Sequence, residues 1–248
     1  MRTEYANELL EASRAGYEKI AADFSRTRGT FWPELLFVRD LIPEGSRLLD
    51  IGCGNGRFLG ALDSPQRTAL RKNEGRSFVE VDYTGIDFSE GLIGVARERY
   101  HERANTTFVV GDALKLPFPD HTFDNTVSFA VLHHIPSRAY RVQFLREAAR
   151  VTKPGGFIIL TAWNVWHSRP RIVLEFALKK LLGGTHTDFG DAILDFGKEK
   201  NARYVHAFSM RKIRSLAHEA GLAIERLEKI RRPSGEENFL LMLRVPKV

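Results

Sequence analysis

The sequence predicts an α/β fold: a doubly wound, mostly parallel sheet of seven strands with helices on both faces. Three observations point to it. Short apolar strands alternate with helical stretches between residues 45 and 162, as a parallel sheet covered on both sides requires. The first strand runs directly into a glycine-rich turn, Gly52-Cys-Gly-Asn-Gly56. The next two strands each end in an aspartate, Asp87 and Asp112.

Taken in order, the first segment reads as helical to about Pro43, because Leu9, Leu10, Tyr17, Ile20, Ala21 and Phe24 recur at helical spacing. Pro33 opens a further short helix, where its missing N–H costs nothing. Arg47–Ile51 is the first strand, with a helix from Arg57, and Tyr83–Asp87 is the second, followed by Ser89 as an N-cap and a helix to about Tyr100. Thr106–Val110 and Phe123–Phe129 are the third and fourth strands. Ser137 caps the next helix, whose inward stripe is Val142, Leu145 and Ala149. Pro154-Gly-Gly156 then turns the chain into a fifth strand, Phe157–Ala162. A helix over Ser209–Ala220, closed by Gly221, leads to two final strands, Ala223–Arg231 and Asn238–Arg244.

The 248 residues thus read as one domain: a helical N-terminal segment (1–44), a core (45–162), an insertion or lid (163–202), and a closing helix with a strand hairpin (203–248). A second insertion, 63–80, is charged and lengthens the link from the glycine turn to the second strand. Residues 171–182 are a cationic helix candidate within the lid. Composition is that of a globular protein, with 43% hydrophobic and 27% charged residues, which excludes a disordered tail or a coiled coil. No apolar run reaches the ~20 residues of a bilayer span, and the polar N-terminus reads as no signal peptide. The single cysteine, Cys53, suits a reducing cytoplasm. Net charge is +6, and all of that surplus is matched by residues 161–248, which hold 16 basic and 10 acidic side chains. A localised basic surplus favours a polyanionic partner.

The chemistry concentrates where the strands end. In a doubly wound sheet, ligands bind outside the carboxyl ends of the strands, where the strand order reverses. The glycines let the backbone approach a ligand closely. Asp87 suits a ribose diol, and Asp112-Ala113 lies where an adenine amino group would be read. The spacing Gly-x-Gly-x-Gly, with Arg57 after it, is not the Gly-x-Gly-x-x-Gly of a pyrophosphate site.

This combination resembles the class I S-adenosylmethionine-dependent methyltransferases, whose sheet is of the Rossmann-like type, over roughly residues 45–162 and the closing strands. A larger pattern looks like the tRNA wobble-uridine carboxymethyl methyltransferases. It comprises Tyr17-x-x-Ile-Ala-x-x-Phe-Ser-x-Thr-Arg28, Trp32-Pro33, and His133-His134 with Arg138, Arg141, Glu147 and Arg150 behind it. Pro154-Gly-Gly156, Ala162-Trp163 and Arg203-Tyr-Val-His-Ala-Phe208 complete it, while Gly235-Glu-Glu-Asn-Phe239 departs from the Gly-Asn-Trp usual in the last hairpin.

The resemblance implies S-adenosylmethionine as cofactor and methyl transfer to a modified uridine carboxylate in tRNA. It implies a cofactor site of Arg28, Asp50, Gly52, Cys53, Gly54, Asp87, Phe88, Asp112, Ala113 and Phe129. His133, His134 and Arg203 become the catalytic candidates, with Tyr17 over the cofactor or acceptor, Tyr204 and His206 toward the acceptor, and no metal. Basic residues of the last third would meet phosphates, and Trp163, Trp166, Phe176 and Phe189 would stack on an unpaired base. Implied partners are tRNA and a small zinc-binding activator protein covering a sheet edge, with no membrane and an open oligomeric state. Two other readings share these residues: a small-molecule methyltransferase of the quinone or lipid-precursor type, and a catalytically silent methyltransferase-like domain serving as scaffold or RNA-binding partner.

Overall fold

A computed structural model describes residues 1–63, 79–196 and 201–247, so nearly all of the 63–80 insertion lies outside the described residues. The chain opens with helix α1 (Thr3–Thr27), which stops well short of Pro43. Pro33 instead starts a stretch of 3-10 turns over Pro33–Leu41, buried through Leu35 and Val38. Strand β1 (Arg47–Ile51) and helix α2 (Arg57–Leu62) follow, then β2 (Asp82–Asp87), α3 (Glu90–Arg99), β3 (Thr106–Val110) and β4 (Asn125–Phe129). Phe123, expected to begin the fourth strand, forms only an isolated bridge to Thr152.

Helix α4 (Arg138–Val151) and strand β5 (Phe157–Trp163) complete the alternating core. Beyond it come α5 (Val165–Ser168), α6 (Pro170–Leu181), β6 (Asp191–Phe196), β7 (Asn201–His206), α7 (Met210–Glu219), β8 (Ala223–Arg231) and β9 (Glu237–Arg244). Helices α3, α4 and α7 each start at a serine, Ser89, Ser137 or Ser209, whose hydroxyl accepts the N–H of the third residue on.

Seven strands form one sheet in the order β3-β2-β1-β4-β5-β9-β8. The pairs from β3 through β5 are parallel, and β9 runs antiparallel between β5 and β8. Alternate residues of each strand feed opposite cores. Leu49, Ile158 and Leu241 pack under α4 and α7 with Phe144, Phe208 and Ile213, while Leu48, Ile159 and Leu240 pack with Phe58, Tyr83 and Leu35. Burial on both faces explains why these strands read as apolar runs.

The lid region is built rather than loose. Strands β6 and β7 pair as an antiparallel hairpin, and with α6 they enclose a small third core of Val165, Val173, Ala192, Leu194, Val205 and Ala207. The sequence reading gave β6 no strand. Its apolar residues are few, and they are buried against α6 and β7, contacts that a linear pattern does not display. Strand order reverses between β1 and β4, so their carboxyl ends frame the crevice, and α1 packs over it against α3 and β7.

Candidate functional site

At that reversal lies a cavity of about 480 Å³. One wall is the turn after β1. Gly52 has φ 73° and donates its N–H to the Ile86 carbonyl at 2.7 Å, and a Cβ there would lie 2.3 Å from Val131 Cγ2. Only glycine combines that conformation with that closeness. Asp87, at the end of β2, holds the same turn from below: its carboxylate accepts the Gly54 N–H at 2.9 Å and the Ser89 N–H at 3.0 Å. Burial pushes its pKa upward, against the pull of these backbone donors.

The roof is α1. Glu18 accepts the Ser89 hydroxyl at 2.7 Å and the Gly91 N–H at 2.9 Å, tying α1 to the start of α3. At the adjacent position, Tyr17 points into the cavity with its ring 5.8 Å from both Phe24 and Phe88. Its hydroxyl stands 3.4 Å from His134 Nε2 and hydrogen-bonds Arg203. His134 Nδ1 lies 2.9 Å from the Tyr204 carbonyl, which can only accept, so Nδ1 carries the proton and Nε2 receives the tyrosine O–H. Burial, reinforced by the Arg203 charge, lowers the His134 pKa to about 3, so the imidazole stays neutral.

Four guanidiniums border the cavity, Arg14 among them, and the other three each lie on an aromatic ring. Arg28 is 4.6 Å from the Phe24 centroid, Arg57 is 3.9 Å from that of Trp32, and Arg203 is 4.7 Å from that of Trp163. Burial and the Arg28 charge lower the Arg57 pKa to about 10, and burial lowers that of Arg28 as well. An anion entering here would relieve both effects.

Of the residues singled out from sequence, Arg28, Gly52, Cys53, Gly54, Asp87, Phe88, Asp112, Ala113, Phe129, His134 and Arg203 all line this one cavity. Two do not. Asp50 alternates with Leu49 and Ile51, so its side chain turns to the opposite face, where it is 2% exposed and accepts the Tyr83 hydroxyl at 2.7 Å. Burial raises its pKa to about 7. His133 is fully buried, stacked 4.5 Å from Trp163, and its Nδ1 accepts the Trp163 N–H at 3.3 Å. It braces the end of β5 and does not reach the cavity.

Tyr204 and His206 also turn away from it. The Tyr204 hydroxyl and His206 Nδ1 both contact Asp191 Oδ1 at 2.6 Å, and Arg141 donates to the Tyr204 hydroxyl at 3.0 Å. This buried set holds the hairpin whose Tyr204 carbonyl fixes His134.

Among the cavity residues that sequence reasoning missed, three stand out. Arg57 had a signal, as the first residue of the helix after the glycine turn, but served only to exclude a pyrophosphate site. Asn55 donates to the Arg28 carbonyl at 3.2 Å and keeps its Oδ1 buried without a hydrogen-bond partner among the described residues. Ala130 takes φ 59°, unusual for a residue with a Cβ, with its N–H bound to Thr161. No sequence signal marks such strain. Among the described residues no group of three or more His, Cys, Asp or Glu is arranged to hold a metal.

A close-approach glycine turn, a buried carboxylate beneath it, aromatic and aliphatic walls and guanidiniums at one side fit an adenosyl cofactor bearing an amino-acid carboxylate. Comparison with known proteins agrees. Residues 49–160 match the family described as "Methyltransferase domain". A tRNA (carboxymethyluridine(34)-5-O)-methyltransferase of Arabidopsis thaliana is 35% identical over 147 residues, 59% of this chain, and this chain spans only 31% of that relative's length. In fold, the Burkholderia thailandensis 1,6-didemethyltoxoflavin-N1-methyltransferase, solved with S-adenosylhomocysteine, is similar over 100% of this chain and 92% of its own, with TM-score 0.68 and 14% identity. A chain of the complex between the Haloferax volcanii Trm112 methyltransferase activator and a methyltransferase is similar over 95% and 98%, with TM-score 0.65 and 20% identity.

Proposed function

The chain carries a domain of the S-adenosylmethionine-dependent methyltransferases, and from that premise we propose that it esterifies the carboxylate of a modified uridine in tRNA. The observation that supports a carboxylate acceptor is the pairing of guanidiniums with an ineffective base. Among the described residues His134 is the only imidazole lining the cavity, its pKa is lowered to about 3, and its lone pair already receives the Tyr17 O–H. Asp87 is committed to the glycine turn. An amine or hydroxyl acceptor would need its proton removed, whereas a carboxylate is ionised at neutral pH.

When bound, the cofactor supplies an electrophilic methyl group on a sulfonium, and its transfer to a carboxylate oxygen leaves a thioether and an ester with no proton to move. The chain's own residues bind and orient. Gly52, Gly54 and Asp87 shape the nucleoside cradle, with Phe88, Asp112 and Ala113 toward the base. Arg28 and Arg57 hold the amino-acid carboxylate. Arg203, held in place beside Tyr17 and His134, fixes the acceptor carboxylate on the line of transfer, where positioning supplies most of the acceleration.

The test uses bulk tRNA treated with mild alkali, which opens carboxylic methyl esters to carboxylates. Incubated with the purified chain and methyl-labelled S-adenosylmethionine, this tRNA should take up label, and a second alkali treatment should release that label as methanol. Label that survives alkali, or no uptake, would sink the reading.

Two partners follow from the same reading. The sequence relative acts on carboxymethyluridine in tRNA, and the basic C-terminal third suits phosphates. The fold relative occurs with a small activator, and β3 forms an outer edge of the sheet where such a protein would add. A cytoplasmic setting suits a tRNA substrate, and among the described residues no helix is long and apolar enough to cross a membrane.

A further inference from the structure

A second cavity, of about 440 Å³, adjoins the first and shares Arg28, Trp163 and Arg203 with it. Its remaining walls belong to elements that a cofactor in the first cavity does not need. Arg169 and Ile172 come from the start of α6, Asp195 from the hairpin, and Arg232 and Asn238 from the β8–β9 turn and strand. A volume of this order suits a single nucleoside, within the usual range for small-ligand sites.

The shared wall decides what can occupy it. If the acceptor's carboxylate lies at Arg203 in the first cavity, the body of the acceptor has to lie on the far side of Arg203, inside the second. The Trp163 ring is no open platform, because His133 stacks against it and Arg203 lies over it. The planar surface left for a base is therefore the guanidinium of Arg203, together with the aliphatic side chain of Ile172. Stacking of extruded bases on arginine planes is a common mode of RNA recognition. The polar groups are mixed in sign. Asp195, Glu236 and Glu237 offer acceptors, Arg169 and Arg232 offer donors, and Asn238 offers both. A pyrimidine edge, with two acceptors about one donor, calls for that mixture, whereas a purely anionic small molecule does not.

The two arginines differ in a way that separates their roles. Arg232 is fixed between Glu34, at 3.2 Å, and Glu236, at 2.7 Å. Arg169 is exposed, and its guanidinium donates to the carbonyl of its neighbour Ser168. Resting on the tRNA reading above, we propose that the second cavity seats the acceptor nucleotide itself, turned out of its strand, with its base on Arg203 and Ile172 and its phosphodiester against Arg169.

Two variants test this with alkali-treated bulk tRNA as acceptor. Arg169→Glu changes an exposed side chain, so folding is not at stake, and Ile172→Trp fills the cavity. Both should raise KM for the tRNA about tenfold or more, while calorimetry shows the affinity for S-adenosylmethionine unchanged. Arg169→Glu should also reduce the slope of log binding constant against log salt by about one. Variants that keep the KM and the salt slope of an active unaltered chain would overturn the nucleotide seat and leave the carboxylate reading intact. An unaltered chain that methylates no RNA would remove both.

Discussion

Residue by residue, the site divides into groups that shape and groups that hold charge. Gly52 shapes: its φ of 73° and the 2.3 Å approach of Val131 Cγ2 leave no place for a methyl group. Gly52→Ala should weaken cofactor binding at least tenfold by calorimetry, with a stability loss of about 1–3 kcal/mol in urea titration. Cofactor affinity equal to that of the unaltered chain would contradict the cradle. Arg203 holds charge. Arg203→Met should lower kcat/KM for alkali-treated tRNA by on the order of a hundredfold, with S-adenosylmethionine affinity little changed. Arg203→Lys should recover only part of that loss, since an ammonium replaces neither the planar fork nor the stacking on Trp163. Full activity in Arg203→Met would move the acceptor elsewhere.

At the level of elements, α1 is a roof fastened at several points, among them Asn7 to Tyr140, Tyr17 to His134 and Glu18 to α3. Glu18 ties it to the amino end of α3, where a carboxylate also meets the helix dipole. Glu18 is exposed, so the fastening contributes at most about 1 kcal/mol. Glu18→Ala should therefore leave the melting temperature within a few degrees. It should nonetheless speed amide hydrogen exchange along α1 and weaken cofactor binding severalfold, because Tyr17 and Arg28 ride on or beside that helix. Unchanged exchange in α1 would show that its packing against α3 and β7 suffices.

The same elements show what the sequence could disclose. The glycine turn, the strand-end aspartates and the serine caps are local signals, set by a few adjacent residues, and the structure has them at the expected positions. Asp50 and His133 stood beside genuine cavity residues, yet strand alternation and the stacking on Trp163 direct them into the interior. The β6–β7 hairpin has few apolar residues, and they are buried only once α6 packs on them, so no local pattern announces it. Arg57 became visible only once Trp32, from another element, lay beneath it.

For the molecule as a whole, three buried histidines and two buried aspartates, Asp50 and Asp87, set opposing pH dependences. His133, His134 and His206 all have pKa values lowered chiefly by burial, His134 to about 3 and His206 to about 4. In the unfolded chain each would titrate near about 6.5. The stability they lend is complete above that pH and is lost as pH falls toward the folded values, because the unfolded state then binds the extra protons. Asp50 acts the other way. Its folded pKa of about 7 exceeds the unfolded value, so it favours the folded state below about pH 4 and loses that contribution as pH rises toward 7. Near pH 5.5 the histidines outnumber the aspartates, and unfolding should take up about one to two protons net. That corresponds to a stability rising by roughly 1–3 kcal/mol per pH unit. Urea titrations between pH 5 and 6 measure the slope directly. Asp50→Asn should steepen it by about one proton, since the Asn side-chain oxygen can still accept the Tyr83 hydroxyl while the opposing titration disappears. A flat profile through this range, or a slope unmoved in Asp50→Asn, would mean that these groups are not buried in the charge states their surroundings impose.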